Sequence, residues 1–405
     1  MKQKISALFL GTALALASSG ALAQDKNVKI GVLTDNSGLY SDLGGAGSTL
    51  AAQMAIEDSG LAAKGWKIDL ISADHQNKPD IATTIARQWI DVEKVDILMD
   101  VLNSGVALAV NNVVKEKNAV MINTGAATSD LTNAQCSPNT VHWVYDTYML
   151  ANSTGQALVK AGGDTWYFLT ADYAFGHALE RDTAAVVVKS GGKVVGTVRH
   201  PLNSSDFSSF LLQAQASKAK IIGMANAGGD TTNTIKQASE FGIVSGGQKL
   251  AGLLLFITDV HSLGLKVAQG LNFTETFYWD LNDGTRAFSK RFSERMKNKA
   301  MPSMVQAGVY SGLIHYFKTI DAMGGNPHDG AKVVAKMKEA PTDDPLFGQG
   351  TIRADGRKLH PAYLFEVKKP SESKGPWDYY KLIGTTPGDQ AFRPVSESAC
   401  PLLKK

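Results

Sequence analysis

The sequence predicts an α/β protein built from two doubly wound parallel sheets, each with helices on both faces. Three observations predict it. Short β-rich apolar runs alternate with amphipathic helical runs, the pattern of βαβ units. The alternation occurs in two series, over residues 28–123 and 166–257. Beyond an N-terminal segment considered below, about 380 residues remain, more than one hydrophobic core accommodates.

The first series begins with a strand at Val28–Leu33. Leu50, Met54 and neighbouring alanines give a helix ending near Asp58, and Lys67–Ser72 is a second strand. Ile81, Ile85 and Trp89 recur at helical spacing, so 80–93 is a helix. Val95–Val101 is a buried strand, Val106 to Val114 a helix, and Ala119–Asn123 the next strand. The second series places strands at Trp166–Thr170, Lys193–Val198, Ile221–Ala225 and Leu250–Ile257. Its helices fall at 177–189, at Phe207 to Ala214 and at 230–241.

After residue 280 the pattern changes. Phe288, Phe292 and Met296 form one helical stripe, Val305 to Ile320 another, and Val333 to Met337 a third. Gly350–Arg353 and Ala362–Val367, separated by Asp355-Gly356, predict a hairpin. The expectation is that the helical block covers the first sheet and the hairpin returns to the second. The stretch beyond Pro370, rich in Pro, Gly and Ser, is expected to run over the surface.

The N-terminus carries Lys2 and Lys4, then an uncharged run from Ile5 to Ala17, then Ala21-Leu22-Ala23. This is the arrangement of a secretory signal, residues 1–23, with Gln24 first in the mature chain. No Cys stands there to take a lipid anchor. No later stretch reaches the roughly 18 uncharged apolar residues of a membrane span. Export to the periplasm is the expectation. Losing two lysines with the signal takes the net charge from +3 to +1, which leaves no nucleic-acid or membrane-surface footprint. Cys136 and Cys400 permit one disulfide in an oxidising compartment, or two unpaired thiols.

In open αβ sheets, ligands bind beyond the carboxyl ends of the strands. Those loops contain Tyr40, Asn103-Ser104, Gly125-Ala126-Ala127-Thr128, Tyr173, Phe175 and Asn226-Ala227. Asn103-Ser104 enters a helix, where free N–H groups and the helix dipole suit an anion, or where either residue simply caps. Gly125 to Ala127 let a ligand approach the backbone, or let the loop pack on the sheet. Tyr40, Tyr173 and Phe175 could wall a pocket. Enzyme motifs fail: Leu50 replaces the third glycine of a dinucleotide fingerprint, and Leu102 breaks the nucleophile-elbow pattern around Ser104. The eight histidines lack metal-ligand spacing. No catalytic residue, metal or cofactor is expected.

Lys29-Ile30-Gly31-Val32-Leu33 through Ser37-Gly38 resembles the start of the Leu/Ile/Val-binding-protein family of ABC importers. So do Asn123-Thr124-Gly125-Ala126-Ala127-Thr128 through Leu131-Thr132, and Tyr173-Ala174-Phe175-Gly176. The resemblance extends over nearly the whole mature chain. It implies a type I periplasmic binding fold: two Rossmann-like lobes, three hinge crossings, and a ligand between the lobes. Crossings near Tyr145, Phe277 and Phe347 would assign 24–145 plus 278–347 to one lobe and 146–277 plus 348–390 to the other, with 391–405 as a C-terminal tail. The family holds a ligand carboxylate with a serine at the position of Ser104 and with groups matching Gly125 to Thr128. An aromatic matched by Phe175 closes from the other lobe.

One departure matters. Amino-acid binders of this family carry an acid on the strand matching 250–257, paired with the ligand's ammonium. No acid occurs between Gln248 and Thr258, and a second family aromatic falls near Ala227. Losing one partner of a buried ion pair costs about 3–5 kcal/mol, roughly two to three decades of affinity. Unless Asp172 or Asp230 substitutes, a carboxylate without an α-amino group fits better, with Leu254, Leu255 and Phe256 as apolar surface for its body.

The expected function is therefore a periplasmic solute-binding component of an ABC importer for a small organic acid, of which aromatic carboxylates are the leading class. The expected partner is an inner-membrane ABC permease, and the expected state a monomer. The expected ligand-binding residues are Tyr40, Asn103, Ser104, Gly125, Ala126, Ala127, Thr128, Tyr173, Phe175, Asn226, Ala227 and Leu255. The alternatives are a branched-chain amino-acid or amide ligand, or a sensor domain feeding a receptor.

Overall fold

A computed structural model describes residues 25–403. The expected signal at 1–23 lies outside the described residues. The first sheet has five parallel strands, β1 (Asn27–Thr34), β2 (Lys67–Asp74), β3 (Ile97–Asp100), β4 (Val120–Asn123) and β5 (Thr140–His142), in spatial order β2-β1-β3-β4-β5. Side chains alternate across it. Ile30 and Val32 face one core, and their neighbour Leu33 faces the other. Helices Pro79–Asp91 and Ser104–Lys117 cover one face. On the other, helix Met304–Ala322 packs beside helix Gly45–Asp58. The long helix also lies close to the chain just after β5: a Cβ on Gly308 would lie 2.2 Å from Val144. Ser303 and Gln306 start the long helix with a reciprocal capping box.

The second sheet has β6 (Thr165–Ala171), β7 (Lys193–His200), β8 (Ile221–Ala225) and β9 (Lys249–Gly252), in order β7-β6-β8-β9 and also parallel. Helix Ala174–Lys189 packs on β6 on one face. Helices Ser208–Ala216, Gly229–Glu240 and Ile257–Leu263 pack on the other. A separate antiparallel sheet pairs β10 (Asn272–Glu275) with a late strand described below.

Three expectations change. The strand expected over 250–257 ends at Gly252, because its only neighbour, β8, ends at Ala225. Residues 253–256 become a loop, and the Asp259 carboxylate accepts the Phe256 amide at 2.9 Å to start the next helix.

The expected hairpin does not close on itself. β11 (Thr342–Asp344), β12 (Gly348–Ile352) and β13 (Lys358–Leu359) form a small antiparallel sheet, which joins the first sheet by a bridge from Arg357 to His142. Pro361 has no N–H to continue that ladder. The chain then crosses, and β14 (Ala362–Val367) pairs between β10 and β15 (Tyr380–Thr386). Residues 348–359 thus stay with the first lobe, and the stretch beyond Pro370 contributes a strand to the second.

The crossings are bound by buried cations. Arg357, fully buried, donates from Nη2 to the Val144 carbonyl at 3.0 Å and from Nε to the Lys358 carbonyl at 3.0 Å, with Asp146 at 3.5 Å. Burial lowers it to about 10, the Asp146 carboxylate opposing. Lys358 Nζ lies over the Trp143 and Phe347 rings at 4.6 and 4.5 Å, with Asp344 at 3.8 Å, and burial lowers it to about 8.

Candidate functional site

The carboxyl ends of both parallel sheets face one cavity between the lobes. It is narrow, with about 20 Å³ of space that the centre of a water-sized sphere can reach. From the first lobe it is lined by Tyr40, Leu43, Leu102, Ser104, Gly125, Ala127 and Tyr145. From the second come Tyr173, Phe175, Ala227, Leu254 and Phe256. None of these twelve residues carries a charge.

One wall holds donors with no acceptor. Asn103 caps helix Ser104–Lys117, its Oδ1 accepting the Gly105 and Val106 amides at 2.9 and 3.1 Å. That leaves Ser104 in the first turn with its hydroxyl toward the cavity loop. Its Oγ accepts the Thr128 amide at 3.2 Å, and its own O–H donates to no group among the described residues. The Ala127 amide likewise has no acceptor there. Two unused donors therefore belong to residues that line one cavity, one of them at a helix N-terminus.

The loop holding Ala127 is braced from below. Tyr145 donates its hydroxyl to the Gly125 carbonyl at 2.5 Å. Asn123 Nδ2 and His142 Nε2 both bond the Ala126 carbonyl, at 2.7 and 2.8 Å. The Thr124 and Gly125 amides donate to the Asp100 carbonyl at 3.2 and 3.3 Å. Asp100 and Val101 are held at φ +76° and +52°, the left-handed region that costs such residues conformational energy. Burial pushes the Asp100 carboxyl up to about 6. A Cβ on Gly125 would fall 2.6 Å from Asp100 Oδ1 and 2.7 Å from Leu102 Cα. Glycine is needed here for packing against the sheet.

The opposite end closes with tyrosines. Tyr40 and Tyr173 join hydroxyls at 2.6 Å across the cleft, and neither has another partner among the described residues. One bond uses one of two phenolic protons, so a donor is left over. Tyr40 is positioned by the fully buried Asp35, whose carboxylate accepts the Gly38 and Tyr40 amides at 2.7 and 2.9 Å. Burial raises both phenols above the ordinary tyrosine range, so they stay protonated.

Of the residues expected from the sequence, Tyr40, Ser104, Gly125, Ala127, Tyr173, Phe175 and Ala227 meet at this cavity. Five lie off it. Asn103 is committed to its cap. Ala126 is turned away by its bonds to Asn123 and His142. Thr128 caps the next turn through its side chain, 3.3 Å from the Asp130 amide. Asn226 braces its own loop, bonding Thr231 and Thr234 at 2.8 and 3.1 Å. Leu255 packs in the second lobe's core, while Leu254 and Phe256 face the cavity. Leu43, Leu102 and Tyr145 were not among the expected residues.

Neither acid offered as a substitute reaches the cavity lining. Asp172 is exposed and pairs with His177 at 2.8 Å. Asp230 accepts the Asn203 and Ser204 amides at 3.0 and 2.9 Å, and burial pushes it up to about 6. No metal-binding cluster of His, Cys, Asp or Glu occurs among the described residues.

The model of one family, periplasmic binding protein, matches residues 27–375. The chain belongs to that family. A solved periplasmic binding protein from Burkholderia mallei is 53% identical, with a TM-score of 0.90, covering 94% of this chain and 100% of that one. A branched chain amino acid ABC transporter periplasmic ligand-binding protein from Burkholderia xenovorans is 42% identical, with a TM-score of 0.82, covering 93% and 99%. Leu/Ile/Val-binding protein homolog 6 from Brucella abortus is 26% identical over 89% of this chain and 93% of its own length. A solute binding protein from R. palustris, solved in complex with benzoate, shares the fold at 23% identity and a TM-score of 0.81, covering 92% and 99%. The chain is thus a Leu/Ile/Val-binding-protein-like solute-binding protein of the ABC-transporter kind, with the type I fold. Its family places it in the periplasm.

Proposed function

We propose that this periplasmic binding protein captures a small carboxylate without an α-amino group, foremost an aromatic acid, and presents it as a monomer to an inner-membrane ABC permease. One observation carries the reading: the cavity offers unused donors at Ser104 and Ala127 but no acidic side chain. A carboxylate finds charge-assisted bonds of about 1.5–3 kcal/mol each. An ammonium finds no counter-ion, and its desolvation goes uncompensated. Leu102, Leu254, Phe175 and Phe256 supply apolar surface for a ring. The spare phenolic donor at Tyr40 and Tyr173 favours a ring with a second polar group at its far end. The benzoate bound to the R. palustris protein is of the same class.

Ligand bridging the lobes stabilises the closed arrangement, and only contacts absent from the open form drive closure. Nothing in the cavity lining suggests covalent chemistry. The test is mass spectrometry of ligand released from protein purified without refolding, followed by thermal-shift titration with benzoate, 4-hydroxybenzoate, aliphatic acids and leucine. Aromatic acids should raise the melting temperature by mass action. A strong leucine shift with none from the acids would replace this reading with amino-acid binding.

A further inference from the structure

After β15 the chain does not end in the second lobe. Gly388 packs against His360 so closely that a Cβ would lie 2.8 Å from that residue's amide. Phe392 is buried beneath the Arg357 guanidinium, 4.4 Å from its ring centre. Arg393 stacks over Tyr148 at 4.6 Å and donates from Nη2 to Asp182 at 3.1 Å, while its carbonyl accepts Arg353 at 2.7 Å. Further on, Glu397 meets Lys189 of the second lobe at 3.3 Å. The Ala399 amide then donates to Asn133 of the first lobe, and Cys400 is bonded to Cys136 there.

We propose that residues 387–400 form a covalent strap across the hinge, a fourth link between the lobes that holds them near the closed arrangement. Three peptide crossings bend through a few backbone torsions. A fourth link set apart from them makes a closed ring and restricts twist as well as opening. The run from Arg393 to Cys400 reaches at most about 25 Å when extended, so the disulfide sets an upper bound on separation at that edge.

The strap also meets the cavity machinery at a buried point. Asp182 accepts hydroxyls from Ser129 at 2.7 Å and Thr147 at 2.6 Å, besides Arg393. Ser129 directly follows the Gly125–Thr128 loop, and Asp182 lies on the helix whose first turn holds Phe175. Arg181 adds a 3.1 Å pair to Asp130 of the first lobe. Slack in the strap would be felt where the two walls of the cavity meet.

The test needs no ligand. Small-angle scattering would compare the ligand-free oxidised protein with the same protein reduced, and with a Cys136→Ser/Cys400→Ser variant. Reduction and the double substitution should both raise the radius of gyration and speed amide exchange over 395–399, and reoxidation of the reduced protein should reverse both changes. Arg393→Ala, which keeps the bond but frees the middle of the strap, should give a smaller rise. Superimposable scattering from all forms, with only the melting temperature lowered, would overturn the proposal and leave the bond a staple of the fold. Reducing the folded wild-type protein keeps the test decisive should the double variant fail to fold.

Discussion

The hydroxyl of Tyr40, on a loop of the first lobe, lies 2.6 Å from that of Tyr173, at the start of a helix in the second. The bond spans the two lobes, so parting them would break it. It is therefore a direct contribution to the closed state and to any affinity that depends on closure.

Replacing either phenol with phenylalanine should weaken ligand binding. A neutral hydrogen bond is worth about 0.5–1.5 kcal/mol, and a buried partner left unpaired costs about 1–3 kcal/mol. Tyr40→Phe and Tyr173→Phe should each lower affinity roughly 5- to 150-fold for the acid giving the largest thermal shift. For an acid without a second polar group the double variant should be no worse than the singles, since it strands no hydroxyl. Calorimetric titration of all four forms gives the coupling directly.

Asn103 and Ser104 are adjacent but should fail differently. Asn103→Ala removes the helix cap and should cost about 1 kcal/mol of stability, visible as a shifted urea midpoint. With the cap intact but the buried Thr128 amide stranded, Ser104→Ala should also shift the midpoint, by about 1–3 kcal/mol, yet it differs in its effect on binding. It removes a donor to an anion, worth about 1.5–3 kcal/mol, so affinity should fall about 10- to 150-fold.

The Asp100 carboxyl gives stability a pH slope. Burial raises it from the ordinary carboxylate value to about 6. The folded protein then holds a proton that the unfolded chain has released. This contribution is fully present below about pH 4 and is lost as pH rises through about 6. Asp100→Asn, which keeps the shape and cannot ionise, should flatten the wild-type decline in melting temperature between those values. Parallel profiles for both proteins would place the slope elsewhere.

Arg357 should tolerate change poorly. Alanine there would take the Arg357 donors from the Lys358 carbonyl and from the Val144 carbonyl, which keeps His360 at 2.6 Å, and would leave Asp146 without its cation. Breaking a buried pair on one side costs about 3–5 kcal/mol. Chemical denaturation of Arg357→Ala should show a loss of that size, with Arg357→Met less damaging because it refills the space over Phe392.

The alternation of short apolar runs with helical stripes carried most of the fold, because both periods are local properties. What failed was decided by neighbours far along the chain. Leu250 to Gly252 and Leu253 to Phe256 look equally β-prone, yet only the first stretch lies beside β8. The error at Leu255 has the same origin: a shift by one residue turns the opposite side chain toward the cavity. Gly125 stands in the loop that the sequence points to, but its missing side chain makes room for Asp100 and Leu102. Leu43, Leu102 and Tyr145 left no signal, since ordinary apolar and aromatic residues become a wall only once topology assembles them. The best local clue was Asn103-Ser104, where a cap and an unused hydroxyl sit side by side.

The bond between Cys136 and Cys400 also has an order in time. Its two halves are separated by 264 residues of chain. The loop of the first lobe is synthesised early, but its partner thiol arrives only after both parallel sheets, the late helices and β15 have been made. A chain stopped between residues 136 and 400 has no Cys400 to pair with Cys136. Closure of this one bond is therefore a chemical record that synthesis has passed β15 and reached Cys400, and a thiol-reactive label would separate molecules that reach Cys400 from those that stop short.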